Sequence, residues 1–144
     1  MAASNPSTAR SRVPRPPEGG LAFTELASRD PPATRRFLES VFGWRFESVQ
    51  MPMGEYLSYR TPDGQGGVRP VRPPESPSSL AYVRVADLAG ARARIERAGG
   101  TVVLAPVDVP GMGSFFWFQV PGGPMLACWQ DASPDTPPRK EEPR

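Results

Sequence analysis

Residues 21–43, LAFTELASRDPPATRRFLESVFG, set out a strand, a capped helix and a stop. Leu21 to Leu26 reads as a short strand. Asp30 is placed to cap the helix that follows, with Pro31 at its first position, where a missing N–H costs nothing. Phe37, Leu38, Val41 and Phe42 are spaced for one buried helical face, and Gly43 ends the helix. Residues 80–100, LAYVRVADLAGARARIERAGG, repeat the sentence. Leu80 to Val85 is a strand, Asp87 a cap, and Leu88, Ala91, Ile95 and Ala98 share a helical face that stops at Gly99 and Gly100.

Each of these segments is followed by three more strands. After the first come Trp44–Val49, where Trp44 and Phe46 alternate with Arg45 and Glu47, then EYLSYRT at 55–61, the turn Pro62–Asp63–Gly64, and a short strand around Val68. After the second come TVVLAPV, the loop DVPGMG, SFFWFQV, the turn PGGP and MLACWQ. The order βαβββ, then βαβββ, is a duplication. A shift of 57 residues places Asp87 on Asp30, Ile95 on Leu38 and Gly100 on Gly43, and a shift of 59 places Pro121 on Pro62 and Gly123 on Gly64. The expected fold class is α+β, with two tandem βαβββ modules forming a curved sheet and the helices packed outside.

Composition limits what such a chain can do. Of 144 residues, 20 are proline and 14 glycine. Residues 1–18, 69–78 and 131–144 hold 12 of the 20 prolines. The expected organisation is a disordered tail over 1–18, one domain over 19–130 and a disordered tail over 131–144. Within the domain, 19–68 is module 1, 69–78 an extended proline-rich linker and 79–130 module 2. There is no histidine, so Ser–His and Cys–His nucleophile systems are excluded and imidazole metal ligands are absent. Lys140, in the C-terminal tail, is the one lysine, and Cys128 the one cysteine. A Schiff-base lysine, a disulfide framework and a cysteine-rich metal cluster are not expected. Net charge is +2, which is not the footprint of a nucleic-acid binder. No apolar run approaches the roughly 20 residues of a membrane span, and the start has no secretory h-region. The expectation is a cytoplasmic protein.

The segments FTELASRDPPATRRFLESVFGWRFE, MPMGEYLSYRTPDGQGG, YVRVADLAGARARIERAGGTVV and PVDVPGMGSFFWFQVPGGPMLACWQ resemble the vicinal oxygen chelate superfamily. That superfamily includes glyoxalase I, bleomycin-resistance proteins and extradiol dioxygenases. The resemblance implies two curved-sheet modules enclosing a cavity. It also implies four metal-ligand points, which fall here on Phe23, Val68, Leu80 and Ala127. None of these side chains binds a metal, so the expectation is a protein without a metal or other cofactor.

Candidate site residues follow from strand parity. Glu25 lies two residues after Phe23 and shares its face. In an apolar cavity its carboxyl would titrate high and serve as a base; a salt bridge to Arg84 is the competing role. Leu80, Tyr82 and Arg84 alternate onto one face. Arg84 is suited to grip a carboxylate or phosphate, or to pair with an acid, and Tyr82 to stack on a ligand or to pack. Met125, Ala127 and Trp129 share a face, with Trp129 an aromatic wall or an element of packing. Phe115–Phe116–Trp117–Phe118 is aromatic on both faces, and Phe116 is counted with the ligand-binding set. Tyr56 and Tyr59 fall on opposite faces of one strand, so at most one reaches the site. Cys128 reads as a buried small hydrophobe and Trp44 as core.

Two functions compete. One is a metal-independent protein that holds an aromatic or amphipathic compound, for resistance or sequestration. The other is a cofactor-free isomerase, cyclase or lyase of secondary metabolism with Glu25 as base. A degenerate interaction platform is a third reading. A small-molecule ligand and a homodimer are expected, and neither nucleic acid nor membrane.

Overall fold

The structure, a computed structural model, describes residues 17–51 and 54–133. Residues 1–16 and 134–144, with Lys140 and most of both expected tails, lie outside the described residues. The elements are β1 (Leu21–Ser28), α1 (Pro31–Phe42), β2 (Arg45–Met51), β3 (Gly54–Thr61), β4 (Gly64–Pro70), β5 (Ser78–Arg84), α2 (Leu88–Arg97), β6 (Thr101–Val109), β7 (Gly113–Gln119) and β8 (Met125–Asp131). The α+β class and the doubled βαβββ order are as expected. Strands run one to three residues beyond several expected ends, because pairing to a neighbour rather than local sequence decides where a strand stops. In particular β4 takes in Arg69 and Pro70, and β5 begins at Ser78.

Contacts divide the chain into two units. Phe23–Ser79 form unit 1; the described residues 17–22 belong with Leu80 onward in unit 2. In unit 1 the strand order is β2-β3-β4-β1. Strands β2, β3 and β4 are antiparallel neighbours, and β4 runs parallel to β1. Unit 2 has the corresponding order β6-β7-β8-β5, with β5 parallel to β8. Glu18, expected in the tail, is part of unit 2: its Oε1 accepts from the Ala86 N–H at 2.6 Å.

Asp30 caps α1 as expected, its Oδ1 accepting from Ala33 N–H at 3.1 Å. Gly43 closes the helix at φ 71°, a left-handed conformation that favours glycine. The expected buried face is not buried, however. Phe37 is 61% exposed, Val41 52% and Phe42 62%. Thr34 ties the helix down through a 2.7 Å hydrogen bond to Ser28. The core of unit 1 is built by its strands instead: Leu57, Tyr59 and Val68, with Leu26, Trp44 and Phe46 against them. Trp44 is core as expected, stacked on Tyr59 with ring centroids 4.8 Å apart.

In unit 2, Leu88 and Ala91 of α2 pack with Val85, Phe116, Phe118 and Cys128 in one core. Phe116 is fully buried. Truncating such a side chain to alanine costs about 3–5 kcal/mol. Asp87 stands at the N-cap but its side chain makes no cap bond. The first N–H of the helix, on Leu88, is taken by Gln130 Oε1 at 2.6 Å. A residue from a distant strand performs the task that the local sequence assigns to Asp87.

Candidate functional site

Each unit has a helix-covered sheet face and an opposite face, and the sites of interest lie on the opposite faces. In unit 1 this face carries Phe23, Glu25, Gly67, Arg69 and Tyr56. Glu25 stands level with Gly67 on the neighbouring strand. The Tyr56 ring lies across Gly67, where any Cβ would collide with it. Its hydroxyl then reaches over to donate to Glu25 Oε2 at 3.1 Å. Arg69 Nε donates to Glu25 Oε1, also at 3.1 Å. The same guanidinium grips Glu75 with Nη1 and Nη2, at 2.9 and 2.6 Å.

The partner expected for Glu25 was Arg84; the partner found in unit 1 is Arg69. The linker residues 69–78 are therefore not merely a spacer: Arg69 and Glu75, both from that stretch, fasten it to β1. Hydrogen bonding from Arg69 holds the Glu75 carboxyl down at about 2. The pairing with Glu75, followed by the charge of Glu25, outweighs burial and raises Arg69 further above its ordinary value. Glu25 is not in an apolar cavity within unit 1. Its side chain is 12% exposed and its two oxygens both accept hydrogen bonds. Another carboxylate, Glu55, accepts from Ser48 Oγ at 2.6 Å on the helix side of the sheet. There a hollow of about 320 Å³ is lined by Pro31, Arg35, Ser48, Glu55, Leu57 and Val68 among others.

Tyr59 belongs to that helix side, not to the Glu25 face. Its ring crosses Gly66 and its hydroxyl donates to the Thr24 carbonyl at 2.8 Å. Burial, with the Glu25 charge adding, pushes its hydroxyl up to about 12. Of the two tyrosines left open by the sequence, Tyr56 is the one on the candidate face. The doublet Gly66–Gly67 was the available signal: two adjacent glycines in a strand mark the close approach of another group on each face.

Val68 also moves. The rung Glu25–Gly67–Ser58 in unit 1 corresponds to Tyr82–Ala127–Trp117 in unit 2. Ser58 to Gly67 spans nine positions and Trp117 to Ala127 ten, so the second hairpin is one residue longer. One residue inverts strand parity. Gly67, not Val68, is the counterpart of Ala127, and Val68 is buried in the helix-side core. The metal-ligand points thus carry Phe23, Gly67, Leu80 and Ala127, a set with no donor side chain. Among the described residues no three of His, Cys, Asp and Glu gather to hold an ion. The chemistry of these positions does not fit the metal that the resemblance implies.

Unit 2 brings together aromatic rings. Tyr82 is buried, and Trp117 Nε1 donates to its hydroxyl at 3.0 Å. Phe115 meets Tyr82 edge-on at 5.7 Å and lies nearly parallel to Trp129, 18° between planes with centroids 6.3 Å apart. Trp129 Nε1 donates to Asp131 Oδ1 at 2.8 Å, and Arg84 Nε donates to Asp131 Oδ2 at 2.8 Å. Arg84 therefore took the acid-partner role, with Asp131, while remaining on the ring face. Phe116 is a correction: it points to α2 and is fully buried, because Phe115 and Trp117 hold the opposite parity. Leu80 is on the ring face and buried. Cys128 is the buried hydrophobe expected, and burial pushes its thiol up to about 11. The sequence reading missed Arg69 and Asp131, one assigned to the linker and the other to the tail.

No family model matches the sequence. The anthracycline biosynthesis protein DauV of Streptomyces sp. (strain C5) is 29% identical over 130 residues, covering 78% of this chain and 47% of DauV. The chain thus spans about half the length of the curated relatives it matches. Methylmalonyl-CoA epimerase from Mycobacterium tuberculosis superposes with a TM-score of 0.64 at 14% identity, over 87% of this chain and 96% of that one. A glyoxalase/bleomycin resistance protein/dioxygenase superfamily member from Vibrio splendidus 12B01 gives 0.60 at 18% identity, over 76% and 97%. At such identities the likeness speaks of architecture, and the fold of this chain is that of the vicinal oxygen chelate superfamily.

Proposed function

We propose that this protein binds a planar aromatic small molecule, without a metal, against the ring face of unit 2. The observation that carries the reading is the set Tyr82, Phe115, Trp117 and Trp129 on one face of β5, β7 and β8. Each indole N–H already has a protein acceptor, Tyr82 for Trp117 and Asp131 for Trp129. Phe115, Trp117 and Trp129 are only half-buried, and aromatic surface of this kind favours flat aromatic partners. The relative named for anthracycline biosynthesis supports the same class, since anthracyclines are built on a fused planar ring system. The absence of donor side chains at Phe23, Gly67, Leu80 and Ala127 supports binding that does not pass through a metal.

The catalytic alternative rests on Glu25. In unit 1 that carboxylate is occupied by Arg69 and Tyr56, which supports a structural task over that of a base. Binding is the better-supported reading. Titration with 1,8-dihydroxyanthraquinone, read by tryptophan fluorescence, tests it. Saturable quenching in the micromolar range that weakens at least tenfold in Trp129→Ala is expected; no saturable quenching, or equal affinity in the variant, contradicts it.

A further inference from the structure

Arg84 carries more than its ion pair. Its Nε is spent on Asp131 Oδ2, and this is the one side-chain bond its guanidinium makes among the described residues. The two Nη groups keep four N–H donors, and the side chain is 20% exposed. Arg84 stands level with Trp129 across β5 and β8, and Trp129 is stacked on Phe115. Asp131 joins the two: one oxygen takes the Trp129 indole N–H, the other takes Arg84. The carboxylate thereby fixes the plane of the ring and the position of the cation beside it.

We infer that Arg84 selects ligands with an ionised oxygen group, a carboxylate in particular, at the edge of the aromatic ring system. The inference rests on the aromatic-binding reading above and deepens it. A planar fork of N–H donors matches a carboxylate in two parallel bonds. Held at the margin of a ring floor, the fork meets a substituent in the plane of a stacked ligand. Asp131 does not cancel this. It occupies the Nε edge, and an arginine serving two carboxylates occurs in this chain already, at Arg69 with Glu25 and Glu75. A neutral hydrophobe would leave the Nη donors to solvent and gain nothing from them.

Anthraquinone-2-carboxylate and its primary amide have nearly the same shape and differ in charge. Titrating both into the full chain at pH 7.5 and low salt tests the inference. The carboxylate is expected to bind at least tenfold tighter than the amide, with the difference shrinking as salt is added. Arg84→Met should bind the two alike, and Arg84→Lys, which keeps the charge and the link to Asp131, should keep part of the preference. Arg97→Gln, on the exposed end of α2, serves as the control and should keep all of it. Equal affinities in the wild-type chain overturn the inference and leave aromatic binding standing. A preference that survives Arg84→Met overturns it as well. Saturable binding of neither compound removes the aromatic reading together with the inference.

Discussion

The ring of Trp129 lies directly on Gly113: a Cβ added to that glycine would stand 2.6 Å from Trp129 Cζ2. It would also collide with the Gln130 carbonyl. Glycine at 113 is therefore a requirement of the aromatic floor. Gly113→Ala should destabilise the protein by about 1–3 kcal/mol, the usual cost of overpacking. It should also weaken binding of 1,8-dihydroxyanthraquinone at least tenfold. Urea unfolding and the fluorescence titration, run on the same sample, check both.

The contact between Tyr56 and Gly67 has the same form in unit 1, and there the ring delivers a hydroxyl to Glu25. Tyr56→Phe keeps the ring and removes one hydrogen bond to a carboxylate, a loss of about 1.5–3 kcal/mol. Glu25→Gln should also destabilise, because Arg69 loses one of its two anions. If unit 2 holds the ligand, Glu25→Gln shifts affinity by no more than a few-fold. A loss of binding beyond tenfold with the fold intact would place the site around Glu25 instead.

Acid should act through Glu75. Its folded value, about 2, lies below the ordinary 4.5. The stabilisation is therefore complete above pH 4.5 and is lost as pH falls from there toward 2. Arg69→Met should lower stability at neutral pH and flatten the slope across that window. Urea midpoints measured from pH 2 to 7 for both proteins decide; parallel curves would show that Arg69 is not the cause.

Alkali should act through Tyr59. Its hydroxyl is raised from 10.0 to about 12, so the folded state holds the proton more tightly than the unfolded chain does. That contribution is complete below pH 10 and disappears between 10 and 12. Tyr59→Phe removes the titrating group and should flatten this arm. Cys128, raised to about 11 by burial, should resist a thiol reagent at pH 8 until the protein is unfolded.

Much of this fold was legible because its signals are local. Asp30, Pro31 and Gly43 bracket α1 through side-chain chemistry within a few residues. Alternation along 80–84 and 125–129 put Leu80, Tyr82 and Arg84 on one face of β5 and Met125, Ala127 and Trp129 on one face of β8. The stretch 115–118 is aromatic on both faces, and only its register with β8 shows that Phe115 and Trp117, not Phe116, join Trp129. Three things were not legible. Amphipathic spacing marks an apolar stripe on α1 but does not say whether strands or solvent will meet it, and Phe37, Val41 and Phe42 met solvent. The parity of β4 depended on one extra residue in a distant hairpin, so Val68 was assigned a position that Gly67 holds. Ion pairing crosses the sequence freely, and charge alone did not distinguish Arg69 from Arg84 as the partner of Glu25.

Those exposed apolar residues on α1 now supply the ground for the expected homodimer. The aromatic strand 115–118 does not supply it: Phe116 and Phe118 pack within unit 2 against α2, and Phe115 and Trp117 against Tyr82 and Trp129. Sedimentation at micromolar concentration should show a dimer that Phe37→Asp converts to monomer. A monomeric wild-type chain would remove the proposal.

Aromatic binding without a metal is tested most directly by the dissociation constant for 1,8-dihydroxyanthraquinone, measured on protein stripped with a chelator and again after nickel, zinc, iron(II) or manganese(II) is added and the excess removed. Micromolar binding by the stripped protein is expected, unchanged within twofold by any of the metals. Binding that appears only in a metal-loaded sample, with about one ion retained per chain, would contradict it.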